Sequence, residues 1–486
     1  MLRKVRTVLA VVFYTLITLL FLDFTGTVHH WLSWLAKIQF LPAVLALNVV
    51  VIVVLIVLTL MFGRIYCSVI CPLGVFQDII AWLGKKQRKT RYGYSKAVGW
   101  LRYTMLGVLI ITLTIGLSSV VQLLAPYSSY GRIATFLFQP LWKWGNNVLA
   151  TMAEHADSYA FYQVDVWMES LPVLAVALLT FVILFILAWR NGRTYCNTIC
   201  PVGTVLGFLS RFSWLKVRFN VEACKSCSLC SKNCKAACID FKTHTVDYSR
   251  CVTCGDCLNS CNFGALSYGL PMKKKKGCDA SRRSFLLTTA MIGTAVLAQE
   301  KKKVAGGLAG IKKKAVPQRQ TPITPPGSLS AENMAKHCTG CQLCVSECPN
   351  EVLRPSSDWL NMMQPVMSYE RGYCRPECNR CSQVCPTGAI RPITHEEKSS
   401  VQIGHAVWIK KNCVPLTDGF ECGNCANHCP VGAIEMVPSD PDDETSAYVP
   451  AVNESRCIGC GACEYVCPAR PFSAIVVEGH EVHKEV

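Results

Sequence analysis

Cysteine is the residue whose number and spacing could do chemistry in this chain. There are 30 cysteines in 486 residues. Eight form two runs, Cys224, Cys227, Cys230, Cys234 and Cys251, Cys254, Cys257, Cys261. Sixteen form four more: Cys338, Cys341, Cys344, Cys348; Cys374, Cys378, Cys381, Cys385; Cys413, Cys422, Cys425, Cys429; and Cys457, Cys460, Cys463, Cys467. Such density in a short secreted chain would mean a disulfide framework, but a long chain with C-x2-C-x2-C-x3-C runs carries metal ligands. Zinc asks for two pairs, whereas runs of four match bacterial two-cluster ferredoxins, in which the fourth cysteine of each run ligates the other run's cluster. That rule predicts the sets Cys224, Cys227, Cys230, Cys261 and Cys251, Cys254, Cys257, Cys234. In the last four runs the fourth cysteine precedes a proline (Pro349, Pro386, Pro430, Pro468), and two runs stretch their first spacing, which lengthens a loop without losing a ligand. Six 4Fe-4S clusters are expected. Cys238 and Cys278 are left without a role.

Four further cysteines belong to a repeat. Gly63-Arg64-Ile65-Tyr66-Cys67-Ser68-Val69-Ile70-Cys71-Pro72-Leu73-Gly74 matches Gly192-Arg193-Thr194-Tyr195-Cys196-Asn197-Thr198-Ile199-Cys200-Pro201-Val202-Gly203 at eight of twelve positions. If each C-x3-C lies on a helix, its Cβ atoms stand roughly 5–6 Å apart, too far for a disulfide within the motif. Convergence of the two copies would give four sulfurs suited to a metal or a small iron-sulfur centre. Thiol-disulfide exchange between copies and a purely structural role remain open.

The elements that must position these thiols are apolar. Runs at 8–22, 41–62, 103–124 and 171–189 approach the length that crosses a hydrocarbon core of about 30 Å. They predict a four-helix membrane domain over 1–220, with the repeats leaving helices two and four at one depth. Arg3, Lys4, Arg6 and the loop bearing Lys85, Lys86, Arg88, Lys89 and Arg91 are basic, whereas 118–170 has only Arg132 and Lys143 against four acids. Both ends of the domain are therefore expected in the cytosol, which puts a two-cluster ferredoxin domain there at 221–270.

Ser281-Arg282-Arg283-Ser284-Phe285-Leu286 and the apolar stretch that follows read as an internal twin-arginine export signal, at 271–298, able to serve as a fifth helix. A linker rich in Lys, Gly and Pro is expected at 299–328. Beyond it, 329–486 is expected as an exported four-cluster domain of α+β ferredoxin type. Export in the folded state has a reason: free cluster thiolates would oxidise in the outer compartment. The formal charge of +17 invites a nucleic-acid partner, but six clusters of about −2 each reduce it to about +5. No nucleic acid is expected.

Taken together, these features resemble two ferredoxin-type subunits of quinol dehydrogenases fused end to end. The NapH type has four helices, two C-x3-C-P motifs and two clusters, and matches Cys67, Cys71, Cys196, Cys200 and the runs from Cys224 to Cys261. The NapG type has a twin-arginine signal and four clusters, and matches Arg282, Arg283 and the runs from Cys338 to Cys467. MauN/MauM-type ferredoxins share the pattern. By analogy with four-cluster subunits, run one should pair with run four and run two with run three, giving Cys338, Cys341, Cys344, Cys467; Cys457, Cys460, Cys463, Cys348; Cys374, Cys378, Cys381, Cys429; and Cys413, Cys422, Cys425, Cys385. The resemblance implies a multi-pass protein of the bacterial inner membrane. It would pass electrons from quinol, through two cytosolic and four exported clusters, to a periplasmic reductase or cytochrome c, with no terminal substrate site of its own. The Tat translocase is an implied partner. His29 and His30, with Glu154, His155 and Asp157, are candidates to accept quinol protons. A core of about 30 Å is too thick for one tunnelling step, so a partner cytochrome or mobile quinol would bridge it. The alternatives are a maturation factor for a metalloenzyme and a redox sensor.

Overall fold

The computed structural model describes residues 2–87, 92–158, 160–270, 313–443 and 446–485. The export signal with Arg282 and Arg283, Cys278 and most of the basic 85–91 loop's side chains lie outside the described residues.

A helical domain occupies the middle. Two of its helices, Leu2–Leu22 and Leu171–Asn191, are 21 residues long, apolar, and mostly unburied. The other two expected spans are interrupted. The second breaks at Leu47, where φ is 51°, and resumes as Val49–Phe62 with Asn48 Oδ1 accepting from Val51 N. The third, Gly99–Ile115, ends at Gly116, whose φ of 83° is the left-handed cap that glycine adopts without strain. The stretch expected as an outer loop is instead helical: Ser118–Leu124, Pro126–Ile133 and Gln139–Glu154, with a single π turn at Ala134–Phe138. All eight residues of Pro126–Ile133 are buried, Arg132 among them. Periodicity missed them because they fold back over the domain and bury polar faces.

The two cysteine-rich regions cap opposite ends of this domain. Helix Leu2–Leu22 is about 31 Å long at 1.5 Å per residue. At its start, Arg3 Nε meets Asp256 Oδ1 at 3.0 Å; at its end, the Phe21 ring packs tilted against Tyr127 with centroids 5.7 Å apart and lies against Gly131, where an added Cβ would fall 2.2 Å from Cys341 O. The first ferredoxin unit, closed by the antiparallel pair Lys216–Phe219 and Leu266–Gly269, is bonded to the end of Val49–Phe62 through Thr253 Oγ1 (3.1 Å) and Tyr268 Oη (3.0 Å), both donating to Phe62 O.

The C-terminal domain is built from hairpins. Leu353–Pro355 pairs with Pro365–Met367 between runs one and two, and Ile434–Pro438 pairs with Tyr448–Val452 between runs three and four. The long pair Val401–Trp408 and Ile475–Glu485 joins the halves. The first hairpin and the residues beside it dock on the helical domain through Ser119 Oγ to Trp359 O (2.8 Å), Gln364 Nε2 to Ser118 Oγ (2.7 Å), and the guanidiniums of Arg354 and Arg371 over the Trp167 ring at 4.1 and 4.9 Å.

Candidate metal centres

Four-cysteine voids mark the cluster positions. In the first ferredoxin unit one void is lined by Cys224, Cys227, Cys230 and Cys261, and a second by Cys234, Cys251, Cys254 and Cys257. Cys238 also lines the second, its sulfur 3.5 Å from that of Cys234; a thiol there can donate to a ligand sulfur. In the C-terminal domain a similar void is lined by Cys338, Cys341, Cys344 and Cys385.

This overturns the pairing implied by the resemblance. Cys385, not Cys467, completes the first run. Cys348 lies beside Cys374 and Cys381, Cys467 beside Cys413, Cys422 and Cys425, and Cys429 beside Cys457 and Cys460. Runs therefore pair one with two and three with four. The reason is local: a hairpin between consecutive runs turns the chain back, so neighbours in sequence share a unit. The four cysteine sets follow one another, since Cys344 adjoins Cys381, Cys374 N donates to Cys460 O at 2.9 Å, and Cys463 adjoins Cys425. The residues fit 4Fe-4S groups. Backbone amides of Gly340, Ile390, Ala433 and Ala474 donate to Cys338, Cys385, Cys429 and Cys467 at 3.2–3.4 Å, which compensates thiolate charge.

The repeat builds a different centre. Cys67, Cys71, Cys196 and Cys200 are all buried inside the helical domain, close enough to act on one another's charge. The motif does not lie on one continuous helix as the spacing argument supposed. Cys67 and Cys196 sit in the short helices Ile65–Val69 and Thr194–Thr198, while Cys71 and Cys200 immediately precede Pro72–Gln87 and Pro201–Leu209. Proline pushes the residue before it out of helical geometry, and Cys200 is extended at φ −64°, ψ 117°, its sulfur capping the helix by accepting from Gly203 N.

Each copy reaches across to the other. Arg64 donates to Cys196 O (3.2 Å) and Asn197 Oδ1 (2.9 Å), and approaches Cys67 Sγ at 3.8 Å; Arg193 donates to Cys67 O (2.5 Å) and Asp78 Oδ1 (2.6 Å). Gly74 and Gly203 occupy equivalent places, where a Cβ would fall 2.2 Å from Cys67 O and 2.3 Å from Cys196 O. These arginines and glycines carried no role in the sequence reading, although their identity in both copies was the available signal. Asp78, which also meets Arg6 (3.0 Å) and Lys235 (2.8 Å), had no such signal.

The histidine candidates separate. His30 is exposed, edge-on to Trp31, and Glu154, His155 and Asp157 are exposed too. His29 is buried with Asp23 and Glu347, their ligand atoms within 4.8 Å of one another. Asp23 accepts from the amides of Thr25, Gly26, Val28 and His29. Burial pushes the Glu347 carboxyl up to about 8, helped by Asp23, and burial together with the Arg380 charge holds His29 below its ordinary value. Their 3.4 Å approach is thus a contact of neutral groups near pH 7, not an ion pair. Beside it lies an apolar cavity of ≈430 Å³ lined by Leu19, Leu22, Asp23, Leu141, Trp142 and Gly145 among others.

Comparison with known proteins agrees with the cluster geometry. A model described as a 4Fe-4S binding domain matches 44–91 and 173–222, and a 4Fe-4S dicluster domain matches 337–400 and 420–470. Another dicluster model spans 247–352, joining two runs that the structure places at opposite ends. The chain is 25% identical over 256 residues to the putative electron transport protein YccM of Escherichia coli (strain K12), covering 52% of this chain and 64% of that protein. It is 29% identical over 162 residues to the ferredoxin-type protein NapF of the same strain, 32% of this chain and 87% of NapF. To the methylamine utilization ferredoxin-type protein MauM of Methylobacillus flagellatus it is 29% identical over 153 residues, 30% of this chain and 64% of MauM. Its homologues are ferredoxin-type electron-transport proteins. The chain thus spans less than two thirds of the length of YccM and MauM. No solved structure matches. Each segment matching the 4Fe-4S binding model brings one copy of the repeat and so two of the four central cysteines.

Proposed function

We propose that this chain is a multi-pass protein of the bacterial inner membrane that takes electrons from quinol and delivers them to a soluble periplasmic redox partner. The membrane placement rests on the bare apolar faces of the helices: Val49, Val50, Val53, Val54 and Val57 on one, and Leu171, Leu178, Leu179, Val182, Ile183 and Ile186 on another, are all exposed. Water does not tolerate patches of that extent on a monomer. The first ferredoxin unit, at the end bearing Arg3 and Arg6, faces the cytosol, and 329–486 faces the periplasm after twin-arginine export.

The observation that carries the quinol reading is the apolar cavity with Asp23 in its wall and His29 next to Asp23. A quinol headgroup seated there would release its protons beside these two side chains, next to the segment bearing Cys344 and Cys348. Clusters bound by the four cysteine sets of 329–486 would supply one-electron carriers. Leu416 and Phe420, exposed beside Cys413 and Cys422 at the far end of the file of voids, offer a surface to the acceptor.

The test is reconstitution in liposomes with menaquinol while the iron-sulfur absorbance is followed. Bleaching is expected; clusters that dithionite reduces but menaquinol leaves oxidised would sink the proposal. Export is checked separately: Arg282→Lys with Arg283→Lys should leave 329–486 in the cytosol, and normal export of that variant would refute the topology.

A further inference from the structure

We infer that Cys67, Cys71, Cys196 and Cys200 together hold one iron-sulfur centre in the middle of the helical domain, a seventh redox centre that connects the inner voids to the outer ones. Charge is the first reason. Arg64 is 0% exposed and has no carboxylate within ion-pair reach among the described residues; its partners are two carbonyls, an amide oxygen and Cys67 Sγ, and its Nε has none. Burying an uncompensated guanidinium is strongly unfavourable. Four neutral thiols would leave that charge standing. Four thiolates around an iron-sulfur group supply the missing negative charge.

Spacing is the second reason. A tetrahedral zinc site, with Zn–S bonds of about 2.3 Å, brings its sulfurs to about 3.8 Å of each other. Among the described residues, the group of three potential ligands found within 4.8 Å is Asp23, His29 and Glu347, so no three of these four sulfurs gather that closely. The four sulfurs stand too far apart for one ion and suit a multinuclear centre. Gly74 and Gly203 let the two copies close on each other, since a Cβ there would fall 2.8 Å from Arg193 Nη1 and from Arg64 Nη2 of the opposite copy.

Position is the third reason. Towards the inner end, Arg64 Nη1 donates to Ser249 O at 3.1 Å, two residues before Cys251, and Asn197 Nδ2, next to Cys196, donates to Ala236 O at 3.2 Å, two residues after Cys234. Towards the outer end, Tyr195 is hydrogen-bonded to Ser129, two residues before the Gly131 that abuts Cys341. A centre here divides a crossing of about 30 Å into shorter steps. With a one-electron donor on the inner side and a one-electron acceptor on the outer side, one electron leaves the inner centre, occupies the central one and passes outward; no proton moves and no bond changes. A bridging cytochrome then becomes unnecessary.

The test is iron and acid-labile sulfide per full-length chain, with potentiometric titration followed by electron paramagnetic resonance, on native protein and Cys67→Ser/Cys196→Ser. The variant should lose roughly two to four irons and one titrating component, keeping the rest. Unchanged iron and sulfide, or loss of zinc instead, would overturn the inference. Should that variant fail to accumulate, Arg64→Gln provides the second reading: removing a positive charge should lower the midpoint potential of the central component as well as that of the neighbouring inner cluster on Cys251, and a shift of the inner cluster alone, or none, counts against the centre. The quinol reading is separable, because its cavity lies on the outer side. Menaquinol should still bleach the outer clusters when central iron is gone, whereas loss of that bleaching with central iron intact damages the quinol reading alone.

Discussion

Two small residues and one acid decide whether the central chamber can form. Gly74 and Gly203 lie under a carbonyl at a distance no Cβ tolerates, so Gly74→Ala or Gly203→Ala should cost about 1–3 kcal/mol through overpacking. The readout is a lowered melting temperature in detergent. Asp78 is the shared counter-charge of Arg6, Arg193 and Lys235, all nearly buried. Asp78→Asn leaves Arg6 and Arg193 without a carboxylate and Lys235 with Asp256 alone, and breaking such a network should cost about 3–5 kcal/mol. Because Lys235 also meets Asp256 at 3.3 Å, the first ferredoxin unit should loosen from the helices, which limited proteolysis would reveal.

At the scale of elements, the contact between the helices and the C-terminal domain contains a titrating group. Burial raises the Glu169 carboxyl from its ordinary 4.5 to about 7, with Lys143 opposing and Glu351 adding to the rise. A raised carboxyl favours the protonated, docked state: its contribution is complete below the ordinary value and is lost as pH climbs through about 7. Docking should therefore weaken between about pH 4.5 and about pH 7 and change little above that, seen as faster protease cutting of the 313–328 segment. Glu169→Gln should flatten that dependence. An unchanged slope in the variant would assign the effect elsewhere.

For the whole molecule, the outer cavity and the redox chain can be uncoupled. Gly145 lines the cavity, and its Cβ position meets nothing within 4 Å, so Gly145→Phe can fill the space without disturbing the fold. Menaquinol-dependent bleaching should fall roughly tenfold, equivalent to about 1.4 kcal/mol, while reduction by dithionite stays unchanged. Equal loss with both reductants would mean the cavity is structural.

What the sequence determined by itself is the chemistry that depends on short separations. Three closely spaced cysteines of a run supply most of one cluster's ligands wherever the run is placed, and a Cys-Pro step starts a helix at the second thiol of each repeat. The four apolar stretches were legible for the same reason, although their breaks at Leu47 and Gly116 depend on how the chain is folded back. The tertiary structure decided everything that requires distant residues to meet. It chose Cys385 over Cys467 for the first outer void, because the hairpin between adjacent runs costs less loop closure than a partner more than a hundred residues away. It brought the two repeats together with an arginine from each gripping the other. It also set His29 apart from His30 by burying one against Glu347, a residue over three hundred positions along the chain. Such contacts are made between faces, and a face exists only once the chain has folded.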